Sequence, residues 1–263
     1  NNFPMAKIVV VDCFRNEEVF SNGNLKSFGH FKNLLGFKGI VISGDINDKK
    51  LLKNLELNYK FDYIFHQAAI SDTTVSEQDL MIKTNVNAYE DLLKIAINHK
   101  ANMIYASSAA TYGDSDRFEI GYEQPNNAYG FSKVMMDNIT YEYLKQDLDI
   151  SIVGLKYFNV YGPKEFYKNK TASMVVQFGH QILKGLTPKL FEGSDKIFRD
   201  FIYIEDVIQA NIKACNPKKS GVYNVGTGKA RSFEDIVNIL QKELEINNGK
   251  EYIPNPFVGS YQF

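Results

Sequence analysis

Tyr129 and Lys133 stand four residues apart in Tyr129-Gly-Phe-Ser-Lys133, a spacing that puts both on one face of a helix. A phenol ordinarily ionises at a pH of about 10. A neighbouring ammonium favours the phenolate, so the pair reads as a proton shuttle brought toward neutral pH. Alone, the pattern equally describes a surface pair. Its setting separates the two readings. Ser108 lies 21 residues upstream at the end of an apolar run, and a hydroxyl there can hold the same substrate oxygen as Tyr129. Ser108, Tyr129 and Lys133 are therefore read as a catalytic triad.

Such a triad needs elements that bring a strand end beside a helix. Residues 7–12, 39–45, 61–66, 102–108 and 150–155 are short runs rich in β-branched and aromatic residues, the pattern of buried parallel strands. Residues 48–57, 79–99 and 129–144 carry helical apolar spacing. This alternation predicts βαβ crossovers and an α/β fold, a Rossmann-type doubly wound parallel sheet with a smaller C-terminal lobe. We read residues 1–160 as the dinucleotide-binding domain. Residues 161–263, richer in loops, Gly and Pro, are read mainly as a substrate-binding lobe with segments returning to the sheet. Ligands of such sheets bind outside the carboxyl ends of the strands. That rule singles out Asp12, Asp45, His66 with Gln67, Ser107 with Ser108, and Tyr157 with Asn159. Asp12 ends its strand as the second strand of a Rossmann unit does, facing a ribose. No G-x-G-x-x-G occurs in the chain, so the first strand and its Gly-rich turn are expected upstream of Asn1.

Composition narrows the classes. The 263 residues are 44% hydrophobic and 23% charged with net charge -1, an ordinary globular balance with no footprint for nucleic acid. No apolar run reaches the roughly 18 residues that span a bilayer, and no signal-peptide pattern opens the chain. Cys13 and Cys215 build neither a disulfide framework nor a metal cluster. The expectation is a cytoplasmic protein with no metal, no membrane partner and no nucleic-acid partner.

Three motifs, Tyr105-Ala-Ser-Ser-Ala-Ala-Thr-Tyr-Gly113, Tyr129-Gly-Phe-Ser-Lys133 and Tyr157-Phe-Asn-Val-Tyr-Gly-Pro163, resemble the extended short-chain dehydrogenase/reductases that modify nucleotide sugars, the NAD-dependent epimerase/dehydratase family. Lys189-Leu-Phe-Glu-Gly-Ser194, Arg199-Asp-Phe201 and Tyr223-Asn-Val-Gly-Thr-Gly228 are similar to the branch that inverts C6 of an ADP-heptose for lipopolysaccharide core synthesis. The resemblance covers nearly the whole chain. It implies Ser108, Tyr129 and Lys133 as the triad and Lys168 as a second acid/base group. Lys164, Lys168 and Lys170 cluster, so a phosphate-facing or solvent lysine is the plainer reading of Lys168.

For the cofactor, the resemblance implies Asp12 and Arg15 at the ribose and Asp45 with Ile46 at adenine. Gln67, Ala68, Ala69, Ser71, Asn85 and Val160, with Tyr129 and Lys133, line the pyrophosphate and nicotinamide side. Asp12 favours a free 2′-hydroxyl and hence NAD, whereas Arg15 could bind a 2′-phosphate; NADP is the expected cofactor and NAD the alternative. For the substrate it implies Asn159, Lys170, Gln177, Phe191, Glu192, Gly193, Ser194, Arg199 and Tyr261, with Arg199 suited to a diphosphate. Lys170 and Gln177 depart from the family's usual residues, a small hydroxyl residue and a His, while keeping hydrogen-bonding capacity. A homo-oligomer is implied, a pentamer in family members. The rivals are a UDP-sugar 4-epimerase, which shares triad and cofactor, and a non-catalytic nucleotide-binding protein on the same fold. Ala109 and Ala110 stand where a 4,6-dehydratase carries an acidic pair, which counts against elimination chemistry.

Overall fold

The structure, a computed structural model, describes residues 4–255. Tyr261 lies outside the described residues. The first half runs β1 (Val9–Asp12), β2 (Ile40–Ser43), α1 (Lys49–Asn58) and β3 (Tyr63–His66). Next come α2 (Gln78–Met81), a π turn over Ile82–Asn87, α3 (Ala88–His99), β4 (Asn102–Ser108), α4 (Ala128–Tyr143) and β5 (Ile152–Tyr157). The second half contributes β6 (Asn159–Tyr161), α5 (Met174–Leu183), β7 (Lys189–Phe191), β8 (Phe198–Tyr203) and α6 (Ile204–Ala214). It closes with β9 (Gly221–Val225), β10 (Ala230–Ser232), α7 (Phe233–Glu243) and β11 (Glu251–Ile253).

The expected parallel sheet is present in two pieces. Strands β3, β4, β5 and β9 form one all-parallel sheet in the order β3-β4-β5-β9, and β1 pairs β2 in a second parallel ladder. Among the described residues β1 and β3 each keep one ladder edge unpaired. The β9 strand returns from the second half to complete the main sheet. A three-stranded sheet, β10-β8-β6, and a parallel pair, β11-β7, build the rest of that half.

Local chemistry explains the boundaries. Asp48 caps α1 through the Lys50 and Leu51 amides, Asn127 caps α4 through the Gly130 amide, and Ser232 with Asp235 forms a capping box on α7. The helix expected over 79–99 contains the π turn, an i→i+5 step that apolar spacing does not announce. The core lies on both faces of β4 and β5. On one face Tyr89, Leu93, Met103, Tyr105, Met136 and Ile152 pack between α3, α4 and the sheet. On the other, Ile104, Val153, Leu155, Val207 and Ala214 pack under α6. Both faces of the sheet are covered, which is why these strands read as continuous apolar runs.

Candidate active site

The strands of the β3-β4-β5-β9 sheet run parallel and so end at one edge, and β1 and β2 end together in their own ladder. Asp12 and Ser43 are register partners on β1 and β2, and Gly44 N–H donates to the Asp12 carbonyl at 3.0 Å. His66 pairs Tyr105, and Ser108 pairs Tyr157. The residues that follow β3, β4 and β5 therefore line one rim.

Ser108 ends β4 and caps the short turn Ala109–Tyr112, accepting from the Ala110 amide at 3.1 Å. The start of α4 packs on that turn. A Cβ on Gly130 would stand 2.5 Å from the Ala110 carbonyl oxygen, so only glycine allows the helix to come this close. The close approach brings the Tyr129 phenol beside the Ser108 hydroxyl, near enough to favour its ionised form. Lys133 lies one turn on, buried, with Nζ 5.8 Å from the Tyr129 ring centroid. Its ammonium donates to the Ala106 carbonyl at 2.7 Å. The three residues read as a triad are thus neighbours.

Their electrostatics correct one expectation. Spacing predicts a phenol eased toward ionisation by Lys133, whereas burial pushes the Tyr129 phenol up, opposed by the Ser108 hydrogen bond. Lys133 is itself pushed down to about 8 by burial, with the nearby Asp137 carboxylate opposing. The physical reason is desolvation, which disfavours the charged form of both groups at once. Lys133 spends its short hydrogen bond on a backbone carbonyl rather than on the phenol.

Sequence reasoning gave no role to the network beneath. Lys156, near the end of β5, is fully buried and donates to Asp137 at 2.7 Å and to Thr111 at 2.8 Å, with Glu123 at 3.1 Å. Asp137 also accepts from Tyr105 at 2.8 Å and Ser107 at 2.9 Å. One carboxylate therefore ties α4 to β4 and β5, fixing Ser108 against Tyr129 and Lys133. Burial pushes the Asp137 carboxyl up, and Lys156 opposes it. His66 is also buried. Its Nε2 has no hydrogen-bond partner, and its ring stacks on Tyr89 with centroids 5.9 Å apart. Burial, with Lys133 adding repulsion, pushes its pKa down to about 3.

On the cofactor side, Asp12 accepts from the Phe14 amide at 2.7 Å, and a Cβ on Gly29 would stand 2.1 Å from Asp12 Oδ1. Arg15 is paired with Glu17 at 2.7 Å. Asp45 accepts from the Asn47 amide at 2.8 Å, and Ile46 follows it, half-buried. Gln67 and Ala68 are exposed on the rim, Ala69 is half-buried and Ser71 exposed. Gln67 Oε1 accepts from the Tyr157 phenol at 3.1 Å, joining the ends of β3 and β5. Asn85 is buried in the π turn. Its amide accepts from Ile70 N–H at 2.8 Å and donates to the Ile70 carbonyl at 3.0 Å and to Ser132 at 2.9 Å. It acts on the rim by holding the 67–71 loop.

The residues present suit the ribose and nicotinamide ends of a dinucleotide. An acidic residue ends β1, and Lys133 Nζ, with three protons and one short oxygen partner, keeps donors for a ribose. A Gly-rich phosphate turn is not among them.

On the substrate side, Asn159 and Val160 lie on β6, paired to Phe201 and Ile202 of β8, two and three residues past Arg199. Arg199 donates to the Phe198 carbonyl at 2.8 Å, while Asp200 is engaged by Thr227 and Gly228. Phe191 ends β7, and Glu192, Gly193 and Ser194 form the turn after it, where the Ser194 hydroxyl is buried without a partner. Gln177 donates to the carbonyls of Lys170 and Ala172 at 3.1 and 2.7 Å. Lys168 is exposed on the turn Phe166–Thr171, and no hydrogen bond or ion pair joins it to the triad among the described residues.

A Rossmann-type sheet with a Ser-Tyr-Lys cluster at its carboxyl edge defines a class of nicotinamide-dependent enzymes, and the comparisons place the chain within it. Residues 8–226 match the NAD dependent epimerase/dehydratase family, and the chain belongs to that family. A relative from Brachyspira hyodysenteriae, an ADP-L-glycero-D-manno-heptose-6-epimerase, is 37% identical over 274 aligned positions covering 100% of this chain and 81% of the relative. The crystal structure of the ADP-L-glycero-D-manno-heptose-6-epimerase of Helicobacter pylori superposes with a TM-score of 0.86 at 50% identity, covering 97% of this chain and 78% of that one. A UDP-glucose 4-epimerase from Thermus thermophilus in complex with NAD is more distant, at 25% identity and a TM-score of 0.77 over 89% of this chain and 77% of that one.

Proposed function

We propose that this chain inverts C6 of ADP-D-glycero-D-manno-heptose to give ADP-L-glycero-D-manno-heptose. The observation that carries the reading is the Ser108-Tyr129-Lys133 cluster at the strand edge, on a chain 50% identical to a heptose 6-epimerase of the same fold. A nicotinamide cofactor, held by Lys133 and the 67–71 loop, would supply reversible hydride transfer at C6. Tyr129 takes the C6 hydroxyl proton as the ketone forms, and Ser108 holds the same oxygen. Lys133 sets the charge beside the phenol and reaches toward ribose hydroxyls. Return of hydride to the opposite face presents the oxygen in a second orientation, and there Lys168 gives or takes the proton. Asn159, Phe191, Glu192, Gly193, Ser194, Arg199 and Tyr261 hold the nucleotide sugar.

The cofactor we assign is NADP, with Arg15 as the partner of its 2′-phosphate. The Arg15–Glu17 ion pair favours the other reading, NAD, because the guanidinium already has its counter-charge. Acid release of the cofactor and assay for 2′-phosphate decides between them.

Full-length protein incubated with ADP-D-glycero-D-manno-heptose and no added nicotinamide should produce the C6 epimer, read by NMR of the heptose. A requirement for stoichiometric nicotinamide with net oxidation or reduction would make the chain a dehydrogenase. Lys168→Met tests the second proton group. Loss of kcat with the nucleotide still bound supports it, whereas a normal kcat with a raised KM assigns the lysine to the diphosphate alone.

A further inference from the structure

The chain between β1 and β2 is more than a connection. It starts at Asp12 and Arg15 and crosses the rim with Phe20 buried against Ile70, Val75 and Met81, in the apolar cluster that Tyr129 also joins. Ser21 N–H donates to Glu77 at 2.7 Å, and the Asn24 amide donates to Asp72 at 2.7 Å. Its far end then meets the segment that carries Lys168. The His30 ring lies flat on Tyr167, with centroids 3.7 Å apart and planes 6° from parallel. Asn33 Nδ2 donates to the Lys164 carbonyl at 3.3 Å, and Lys164 Nζ donates back to the Asn33 carbonyl at 3.2 Å.

The partner segment is itself closed into a unit. Glu165 is buried, and its carboxylate accepts from Gly162 N–H at 2.9 Å, from Ser173 N–H at 2.7 Å and from the Ser173 hydroxyl at 2.9 Å. Both ends of residues 162–173 are therefore gathered on one carboxylate. Lys168 N–H donates to the Glu165 carbonyl at 2.9 Å, and Thr171 donates to the Lys168 carbonyl at 2.8 Å. Lys164 holds φ 73°, a left-handed conformation uncommon outside glycine, at the residue that bonds Asn33. Lys168 sits on a formed turn closed on Glu165 and Thr171. The contacts from His30 and Asn33 tie that turn to the strand-edge loop.

We propose that His30, Asn33 and Tyr167 are positioning residues for Lys168, latching its turn to the strand-edge loop that begins at the cofactor's ribose site. The proposal rests on the reading of Lys168 as the second proton group. One piece of chain then sets both the ribose end of the cofactor site and the place of Lys168, which a proton transfer sensitive to ångström displacements needs. A stacked aromatic pair is worth enough to bias an in-out equilibrium by about two- to tenfold.

The test uses the full chain, in which His30→Ala and Tyr167→Ala remove the stack while His30→Phe and Tyr167→Phe keep it. The alanine variants should lower kcat for ADP-D-glycero-D-manno-heptose by about two- to tenfold with a smaller change in KM, and the phenylalanine variants should restore it. Limited trypsinolysis gives a reading independent of activity. Cleavage after Lys168 and Lys170 should accelerate by a similar factor in the alanine variants and return to normal in the phenylalanine variants. Alanine variants with unchanged kcat and unchanged cleavage, or phenylalanine variants as impaired as alanine, overturn the latch. If Lys168→Met abolishes turnover while His30→Ala leaves both kcat and cleavage unchanged, the latch fails and Lys168 stands. If Lys168→Met keeps kcat, the reading of Lys168 fails and the proteolysis alone judges the latch.

Discussion

Replacement of His66 by phenylalanine should change how stability responds to acid. His66 is buried at the end of β3 with its Nε2 unpartnered, stacked on Tyr89, and its pKa is pushed down to about 3 from an ordinary 6.5. Between those values the unfolded chain binds a proton that the folded chain refuses. The contribution is fully present above pH 6.5 and is lost as the pH falls toward 3. Because the folded value lies well below 5, the loss down to pH 5 follows the unfolded titration alone, at about 1.4 kcal/mol per pH unit. From pH 7 to pH 5 this gives about 2 kcal/mol for this one side chain. His66→Phe keeps the ring against Tyr89 and removes both the titration and a buried polar atom without a partner, itself worth about 1–3 kcal/mol. Urea unfolding of wild type and variant at pH 7 and pH 5 measures it, and titrating carboxylates cancel in the difference. The variant should match or exceed wild type at pH 7 and lose about 2 kcal/mol less on going to pH 5. Equal acid sensitivity in the two proteins would show that His66 is hydrated or partnered in solution and would refute the argument.

Other outcomes follow from the same geometry. Tyr129→Phe should lower kcat by about 10² to 10⁴ while retaining cofactor, checked by steady-state turnover and by the absorbance of released nicotinamide; near-normal turnover removes Tyr129 from proton transfer. Lys156→Met strands Asp137 and Glu123 without their shared cation and should cost about 3–5 kcal/mol in urea unfolding, and a loss below about 1 kcal/mol would mean the network rearranges at little expense. Lys133, pushed down to about 8, should give kcat/KM an alkaline limb as its ammonium is lost. A profile flat to pH 10 would show that the neutral amine serves as well.

Much of the site was legible because it lies where the backbone pattern puts it. Strand ends are visible in β-branched runs, and the Tyr129–Lys133 spacing fixes a helix face. What stayed hidden depends on partners distant in sequence. Nothing around Lys156 distinguishes a buried lysine in a strand from one that leans to solvent; the signal available was a lone cation inside the apolar run of β5. The loop after Asp12 has no periodicity and reads as polar linker, yet Phe20 anchors it and His30 stacks on a residue far along the chain. Spacing also cannot report dielectric. The four-residue step was enough to place Tyr129 beside Lys133 but not to show that burial moves both pKa values against the charged forms.

Asp137 explains how two buried lysines on adjoining elements come to differ. It lies four residues beyond Lys133 on α4, the spacing at which an aspartate commonly neutralises a lysine. Its oxygens instead receive Lys156, Tyr105 and Ser107, and Lys133 is left with the Ala106 carbonyl. Lys156 thus has counter-charges and becomes a structural cross-link between β5, α4 and the Glu123 loop. Lys133 feels Asp137 only through space, enough to oppose desolvation but not to cancel it. A lysine locked in a short ion pair would be held charged and have its protons engaged. One held on a carbonyl keeps its charge adjustable beside the Tyr129 phenol, as the proton transfer proposed for that phenol requires. The direction in which Asp137 points therefore shapes the candidate site, although the residue is not one of the triad.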